Sequence, residues 1–167
     1  MDLLVLNRSE VEELLQMGAC ITIMEEALAA LARGRFYQPL RRVIVPPGAA
    51  GLLGLMPAYG PGDGGGAAFG LKAVGVFPGN PARGLDSHQG AVLLFSGETG
   101  ELRALMNGAA VTAIRTAAVS GVATRLLARE RAGDLAIIGS GVQARTHLEA
   151  MSCVRPIRRA RVASRSL

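Results

Sequence analysis

Apolar and polar positions near the start of the chain follow a helical spacing. Ser9 and Glu12 have the S-x-x-E spacing of a capping box, and an apolar run that recurs every three or four residues follows them. Gly34 comes after this run and is the residue type that commonly ends a helix. The pattern predicts helix over residues 9–33, with a break near Gly18.

Beyond this segment the apolar residues occur in short runs bounded by glycine and proline, as is typical of β-strands. Two of these runs flank residues 97–100, a four-residue turn that begins and ends with glycine and indicates a hairpin. Together the runs predict a mostly antiparallel sheet, with strands over residues 40–45, 52–59, 69–77, 89–96 and 101–106.

The last third of the chain has the order of elements that opens a parallel βαβ unit. Residues 109–128 are rich in alanine and free of proline, which predicts a helix. A strand over 134–138 then leads into a glycine turn, a helix to about residue 151 and a second strand near 161–163. The fold class predicted is α/β, a mostly antiparallel sheet region followed by this unit.

Composition narrows the class of protein. The 167 residues are 50% hydrophobic and 19% charged, which excludes a disordered chain. The net charge of +5 lies largely in Arg155 and the four arginines that follow it, which we interpret as a solvated helix end and strand edge. Aromatic residues make up only 4% and tryptophan is absent, so we expect no nucleic-acid partner.

The compartment is indicated by the cysteines and by the N-terminus. Cys20 and Cys153 have neither metal-ligand nor C-x-x-C spacing, so we expect no metal and a reducing cytoplasm. The first residues include an acid and lack the basic region of a signal peptide. The longest uncharged run, residues 43–62, contains four prolines, which argues against a membrane helix.

A glycine turn follows the strand at 134–138. Gly139 and Gly141, with Ala144 in the third position, give the pattern GxGxxA between a strand and a helix, which is the context of a dinucleotide-binding turn. The helix N-terminus would then face the pyrophosphate. The alternative is a tight turn in some other α/β fold.

The end of the second strand bears on the choice of cofactor. An NAD-specific site places an acid there to bind the ribose 2′-hydroxyl, but this segment has Ser164, Arg165 and Ser166 instead. Hydroxyls and an arginine suit a 2′-phosphate, so we predict NAD(P) as cofactor with NADP(H) favoured. The alternative is a frayed basic terminus.

Two charged residues stand alone in apolar segments. Lys72 lies mid-strand, and it either snorkels from an edge strand or points into a site. Arg115 is the sole charge between residues 108 and 124, and it needs either a bound anion or a structural ion pair. His88 and His147 lack such a setting, and we interpret them as hydrogen-bonded surface residues rather than catalysts.

With these residues in view, the chain resembles the ornithine cyclodeaminase/μ-crystallin family. The resemblance covers nearly the whole chain, and the order and spacing of its segments are specific. The matching segments are QPLR (38–41), LGLMPAY (53–59), GLKA (70–73), FPGN (77–80), HQGAVLLF (88–95), TAIRTAA (112–118) and IGSGVQA (138–144).

The resemblance implies a two-domain, homodimeric enzyme of amino-acid metabolism that transfers hydride between nicotinamide and the Cα of a small α-amino or cyclic imino acid. Residues 1–130 would form a substrate-binding and dimerisation domain that dimerises through its antiparallel sheet, and 131–167 an incomplete NAD(P)-binding Rossmann domain. The resemblance implies a catalytic role for Lys72. The other implied roles are substrate contacts from Arg41, Lys72 and Arg115, and cofactor contacts from Ser87, Arg115, Gly139, Gly141, Val142 and Gln143.

The chain also departs from the family. Relatives are longer, and their catalytic aspartate comes after the point where this sequence ends, so the resemblance implies an N-terminal fragment. The alternative function is a catalytically inactive truncated relative that serves as a dimerising or ligand-binding module. Ser96 and Asn107 stand where relatives commonly carry acids, and we expect their effect at a sheet turn or a helix entry.

Overall fold

A computed structural model describes residues 3–62 and 65–165 of the chain. It has eight strands and four helices in these ranges, with a short 3-10 helix at Asn80–Arg83. In chain order the elements are β1 (Leu4–Leu6), α1 (Arg8–Leu14), α2 (Met17–Ala32), β2 (Arg42–Ile44), β3 (Leu52–Pro61), β4 (Ala67–Val76), β5 (His88–Ser96), β6 (Leu102–Asn107), α3 (Gly108–Leu127), β7 (Asp134–Ile138), α4 (Val142–Val154) and β8 (Arg159–Ala163).

The described chain divides into two compact units. The first comprises the chain up to Val11 together with Ala30–Val111, and the second comprises Glu12–Ala29 and the chain from Thr112 onward. The division into domains at residues 1–130 and 131–167, which the sequence suggested, stays a prediction.

A six-stranded sheet forms the first unit, in the order β1-β6-β5-β4-β3-β2. Every neighbouring pair is antiparallel except β1 and β6, which confirms the mostly antiparallel sheet. Leu4–Leu6, a three-residue strand parallel to β6, was not predicted from the sequence. Gly90 of β5 lies very close to the backbone of its paired strand β4, since a Cβ on it would be 2.1 Å from the carbonyl oxygen of Ala73.

The first helix begins one residue earlier than predicted, at Arg8, and its N-terminal cap lies two residues earlier, at Asn7. The backbone N–H of Asn7 donates to Oε2 of Glu10 at 2.7 Å, and the N–H of Glu10 donates to Oδ1 of Asn7 at 3.1 Å. This reciprocal pair is the capping box, so its assignment to Ser9 and Glu12 was wrong. The predicted end is confirmed, because Gly34 follows α2 with φ +69°.

The second unit contains the βαβ element and a helical core. β7 and β8 pair in parallel, and α4 joins them, as the sequence predicts. Ala117 and Ala118 of α3 and Ala150 of α4 are fully buried. A Cβ on Gly121 would lie 3.0 Å from Cδ1 of Ile21, so a glycine at this position allows α2 and α3 to pack closely.

Arg155 holds the end of α3 within this unit. Its Nη2 donates to the carbonyl oxygens of Thr124, Arg125 and Ala128 at 3.0, 3.1 and 2.7 Å, and its Nε donates to the carbonyl of Arg129 at 3.1 Å. Carbonyls in the last turn of a helix lack intrahelical partners, so this guanidinium acts as a C-terminal cap. The interpretation of Arg155 as part of a solvated basic segment was therefore wrong.

Among the described residues, no single helix is both long and apolar enough to cross a membrane. α1 and α2 meet the test of length and composition only when taken together, and they are bent by 80° at the break between them.

Candidate functional site

Lys72 lies on an interior strand. β4 is flanked by β3 and β5, and Lys72 stands opposite Met56 on one side and Val92 on the other. Its side chain is half-buried. The proposal of a snorkelling lysine on an edge strand does not hold, because β4 is not an edge strand.

Arg41 falls in the same row across the sheet as Lys72. β2 pairs with β3 in the register Arg42 opposite Leu55, so one further step places Arg41 opposite Met56. Met56 is in turn opposite Lys72. Residues that face each other across antiparallel strands point to the same side of the sheet, and two strand spacings amount to about 10 Å. If the register of β2 is continued by this one residue, the two cationic residues stand at a spacing that a small carboxylic acid can bridge.

Ser87 closes the loop between β4 and β5. Its carbonyl oxygen accepts from the N–H of Phe77 at 2.8 Å, and its Oγ lies 3.1 Å from Nδ1 of His88. Asn80 also supports the loop by donating from Nδ2 to the carbonyl oxygen of Asp86 at 3.0 Å. The hydroxyl of Ser87 thus has a fixed place in an ordered loop, and His88 is exposed, as the sequence predicts.

Arg115 lies on α3, in the second unit, and is half-buried. Burial raises the pKa of the Cys20 thiol, and the positive charge of Arg115 offsets part of that rise. The guanidinium therefore acts within a partly desolvated setting, where a charge-assisted bond to a carboxylate is strong. Sequence reasoning missed the proximity of Cys20, because the two residues lie 95 positions apart.

The glycine turn after β7 fits a dinucleotide pyrophosphate. Gly139 has φ +113°, a conformation that residues with side chains rarely adopt, and its N–H donates to the carbonyl of Ala163 at 2.8 Å. Gly141 precedes α4 without any side-chain cap, and a Cβ on either glycine would meet nothing within 4 Å. The backbone at both glycines is therefore open to close approach by a ligand, as an anion site at a helix N-terminus requires. Val142 and Gln143 are both exposed in this first turn.

The serine predicted at the end of β8 lies beside the glycine turn. Oγ of Ser164 and Oγ of Ser140 are 2.9 Å apart, which joins the carboxyl ends of the two parallel strands. Arg165 is exposed next to them. Ser166 lies outside the described residues.

His147 links α4 to α3, a contact the sequence did not predict. Its Nδ1 lies 2.7 Å from the carbonyl oxygen of Gln143, and its Nε2 lies 3.1 Å from Oγ of Ser120. Both ring nitrogens therefore have partners, and the ring borders a cavity of about 410 Å³ between α4 and β7. The interpretation of His147 as a hydrogen-bonded residue rather than a catalyst fits this geometry.

A second cavity, of about 530 Å³, lies at the hairpin ends of the sheet. Its lining includes Ala68, Ser96, Glu98 and Arg103, and none of the predicted site residues. Ala68 is four residues from Lys72 along β4, or about 13 Å. We therefore do not assign this cavity to the substrate. Ser96 stabilises the turn beside it by accepting from the N–H of Thr99 at 3.2 Å.

Asn107 begins α3. Its Oδ1 accepts from the N–H of Ala110 at 2.9 Å, which is the geometry of an N-terminal cap. The effects expected of Ser96 at a sheet turn and of Asn107 at a helix entry both agree with these contacts.

Comparison with known proteins gives a consistent result. The family model described as "Ornithine cyclodeaminase/mu-crystallin family" matches residues 1–166. The chain is 39% identical over 148 residues to the ketimine reductase mu-crystallin of Mus musculus, across 86% of this chain and 46% of the mouse protein.

Two solved structures have the same fold as the chain. One is the Thermococcus litoralis Δ(1)-pyrroline-2-carboxylate reductase in complex with NADH and L-proline, with TM-score 0.90 and 40% identity over 98% of this chain and 50% of that one. The other is an archaeal alanine dehydrogenase dimer with bound NAD, with TM-score 0.90 and 34% identity over 98% and 49%. The chain spans about half the length of the curated relatives it matches.

Proposed function

The chain belongs to the ornithine cyclodeaminase/mu-crystallin family, and from that premise we propose that it takes part in NAD(P)-dependent hydride transfer to or from a small α-amino or cyclic imino acid. The observation that carries this proposal is the glycine turn between β7 and α4, where the positive φ of Gly139 and the open space at Gly139 and Gly141 suit a pyrophosphate at the helix N-terminus. The relatives named as reductases and dehydrogenases of such acids support the choice of substrate class.

The cationic residues are assigned to the substrate. Arg115 holds its carboxylate by a bidentate pair, and Arg41 and Lys72 contact it from one face of the sheet. Lys72 is assigned to hold or exchange a proton at the substrate nitrogen, as a positioned lysine can in general acid–base catalysis. A nicotinamide bound at the glycine turn supplies or accepts the hydride.

The residues assigned to the cofactor form two groups, one at the pyrophosphate and one at the adenosine ribose. Gly139 and Gly141 approach the pyrophosphate with their backbone, and the first turn of α4, Val142 and Gln143, lies along it. Ser87 is assigned to the cofactor phosphates through its hydroxyl. Ser164, Arg165 and Ser166 are assigned to the adenosine ribose.

A calorimetric titration of the chain tests this proposal. We expect saturable binding of NADPH, and then of L-proline with NADPH present. Reduction of 1-pyrroline-2-carboxylate by NADPH is then assayed with the same protein. Binding of both ligands without turnover would favour the ligand-binding module over the enzyme. Absence of binding by either ligand would contradict the proposal.

We assign a preference for NADP(H) to Ser164 and Arg165. The exposed guanidinium and the hydroxyl pair formed with Ser140 offer donors to a 2′-phosphate, and no acid stands at this strand end to bind a ribose hydroxyl. Structures of relatives with NADH or NAD show that the family also uses the other cofactor.

Ser164→Asp is expected to weaken NADPH binding by about tenfold or more, because a carboxylate repels the 2′-phosphate, and to strengthen NADH binding. Fluorescence titration with the two cofactors measures the ratio of affinities. Ser152→Asp places the same charge on an exposed serine of α4 and should leave that ratio unchanged. Equal affinity of the unaltered chain for NADH and NADPH would refute the preference.

We also propose that the chain forms a homodimer through its sheet. On the face opposite Lys72, apolar side chains of neighbouring strands lie side by side, and several are well exposed, including Ile44, Leu53, Tyr59 and Phe69. Apolar sheet faces of this kind are normally covered. The solved alanine dehydrogenase relative is described as a dimer, which supports a second copy of the chain as the cover.

Phe69→Glu is expected to convert the dimer to a monomer, because it places a charge in the centre of that face. Phe69 is 48% exposed and its ring lies 4.6 Å from that of Tyr59, so the substitution falls on the surface rather than in the core. Sedimentation velocity measures the mass. Leu40→Glu, at a position 97% exposed, serves as the control and should leave the dimer intact. If the unaltered chain sediments as a monomer, the proposed dimer is ruled out.

The cysteines support a cytoplasmic location, which we propose as well. Cys20 is buried, Cys153 is exposed, and both are free thiols. Free thiols are typical of reducing compartments.

A further inference from the structure

Gly70 lies within a strand, at a position where neither the backbone conformation nor the packing requires a glycine. It lies two residues from Lys72 in β4, so both face the same side of the sheet. A Cβ on Gly70 would meet nothing within 4 Å, and the residue has no positive φ. A side chain is therefore compatible with both its backbone and its surroundings.

The other glycines in the described strands differ in this respect. A Cβ on Gly60 or Gly90 would lie 2.0 or 2.1 Å from a neighbouring atom, and one on Gly75 would lie 3.1 Å from Phe77. On Gly54 it would make an ordinary contact at 3.5 Å. Only Gly70, among the glycines of these strands, borders open space.

A glycine inside a strand weakens the strand, so its presence needs a reason. The common reasons are a bulge, a bend, or the close approach of a ligand or of another backbone. The pairing of β4 with both neighbours runs without interruption through Gly70, which stands opposite Ala58 and Leu94. No other backbone of the described residues approaches Gly70, since a Cβ on it would meet nothing within 4 Å, and this leaves the approach of a ligand.

The surroundings of Gly70 define the chemistry of that ligand. Lys72 lies about 7 Å away along the strand, in the row that Arg41 shares. The residues that flank Gly70 on the neighbouring strands, Ala58 and Leu94, are apolar. A ligand held by its charged groups at Lys72 thus places its remaining atoms over an uncharged surface.

We propose that Gly70 determines substrate specificity, by leaving room for the uncharged ring or aliphatic side chain of the substrate beside Lys72. This inference rests on the proposed function, and it narrows the substrate class to cyclic amino and imino acids. An alanine-sized substrate does not use the space. A substrate with a second ammonium group finds no acid on the neighbouring positions of this face.

Gly70→Val tests the proposal, with L-proline, L-alanine and L-ornithine titrated calorimetrically in the presence of NADPH. The unaltered chain should bind L-proline most tightly of the three. Gly70→Val should weaken the binding of L-proline by about tenfold or more, since one or two added methyl groups in a binding pocket have effects of that size. Affinity for L-alanine should change by less than about threefold.

A stability measurement excludes misfolding as the cause. Valine suits a strand interior better than glycine, so the Tm of Gly70→Val should equal or exceed that of the unaltered chain. Gly18→Ala, which fills equally open space on α2, is the control and should leave all three affinities unchanged.

The failures of the inference and of the proposed function are distinct. If the unaltered chain binds none of the three acids, both are lost. If it binds L-proline and Gly70→Val binds it equally well, or if L-alanine loses affinity to the same extent, the specificity role of Gly70 alone is refuted.

Discussion

Arg115→Ala is expected to weaken the binding of L-proline by about 10- to 100-fold, because a hydrogen bond to a charged group contributes about 1.5–3 kcal/mol. The guanidinium is half-buried on α3, in a setting that also raises the pKa of the Cys20 thiol, so water competes poorly with a bound carboxylate. Titration calorimetry with NADPH present measures the loss. Arg115→Lys keeps the positive charge but lacks the planar guanidinium that binds a carboxylate with two hydrogen bonds, so it should recover only part of the affinity.

The control for this experiment lies on the same helix. Arg125 pairs with Glu25 at the partly exposed end of α3, and such pairs contribute little, so Arg125→Ala should leave L-proline affinity unchanged. The two roles left open for Arg115 give different results. Unchanged affinity in Arg115→Ala together with a lowered Tm would assign it a structural ion pair and remove it from the substrate site.

Arg155→Ala is expected to lower the free energy of unfolding by about 2–4 kcal/mol. The guanidinium donates to four carbonyls in and just beyond the last turn of α3, and its removal leaves them without these donors. The positive charge at a helix C-terminus is lost as well. Urea unfolding followed by circular dichroism measures the change.

Two variants distinguish the cap from a general effect of charge. Arg161→Ala removes an exposed arginine from β8 and should change stability by less than about 0.5 kcal/mol. Arg155→Lys retains the charge and should recover less than half of the loss, since an ammonium cannot span the same set of carbonyls. A change below about 0.5 kcal/mol in Arg155→Ala would contradict the capping role.

The elements of the fold followed from local signals. Helix and strand periods, the glycine at 34 and the hairpin turn at 97–100 act over a few residues, and the structure agrees with them. Leu4–Leu6 escaped prediction because a three-residue strand has too short a pattern, and its partner β6 is about 100 residues away. The capping box was misplaced because Asn7 and Glu10 have the same spacing as Ser9 and Glu12, and asparagine caps as well as serine.

The sequence suggested residues for the candidate site but not their arrangement, and their roles stay predictions. Lys72 and Arg115 became candidates from the sequence alone because each is an isolated charge in an apolar segment. The row that joins Arg41 to Lys72 depends on the register of three strands, which no local pattern specifies. Arg155 looked like one of five surface arginines, since only tertiary contact shows that it reaches back to α3.

The most direct test of the account is the mapping of amide chemical-shift changes by NMR as the chain is titrated with NADPH and then with L-proline. We predict changes at Gly139, Gly141 and Gln143 with NADPH, and further changes at Lys72 and Arg115 with L-proline. Changes confined to the cavity at the hairpin ends, around Ala68 and Ser96, or no changes at all, would contradict it.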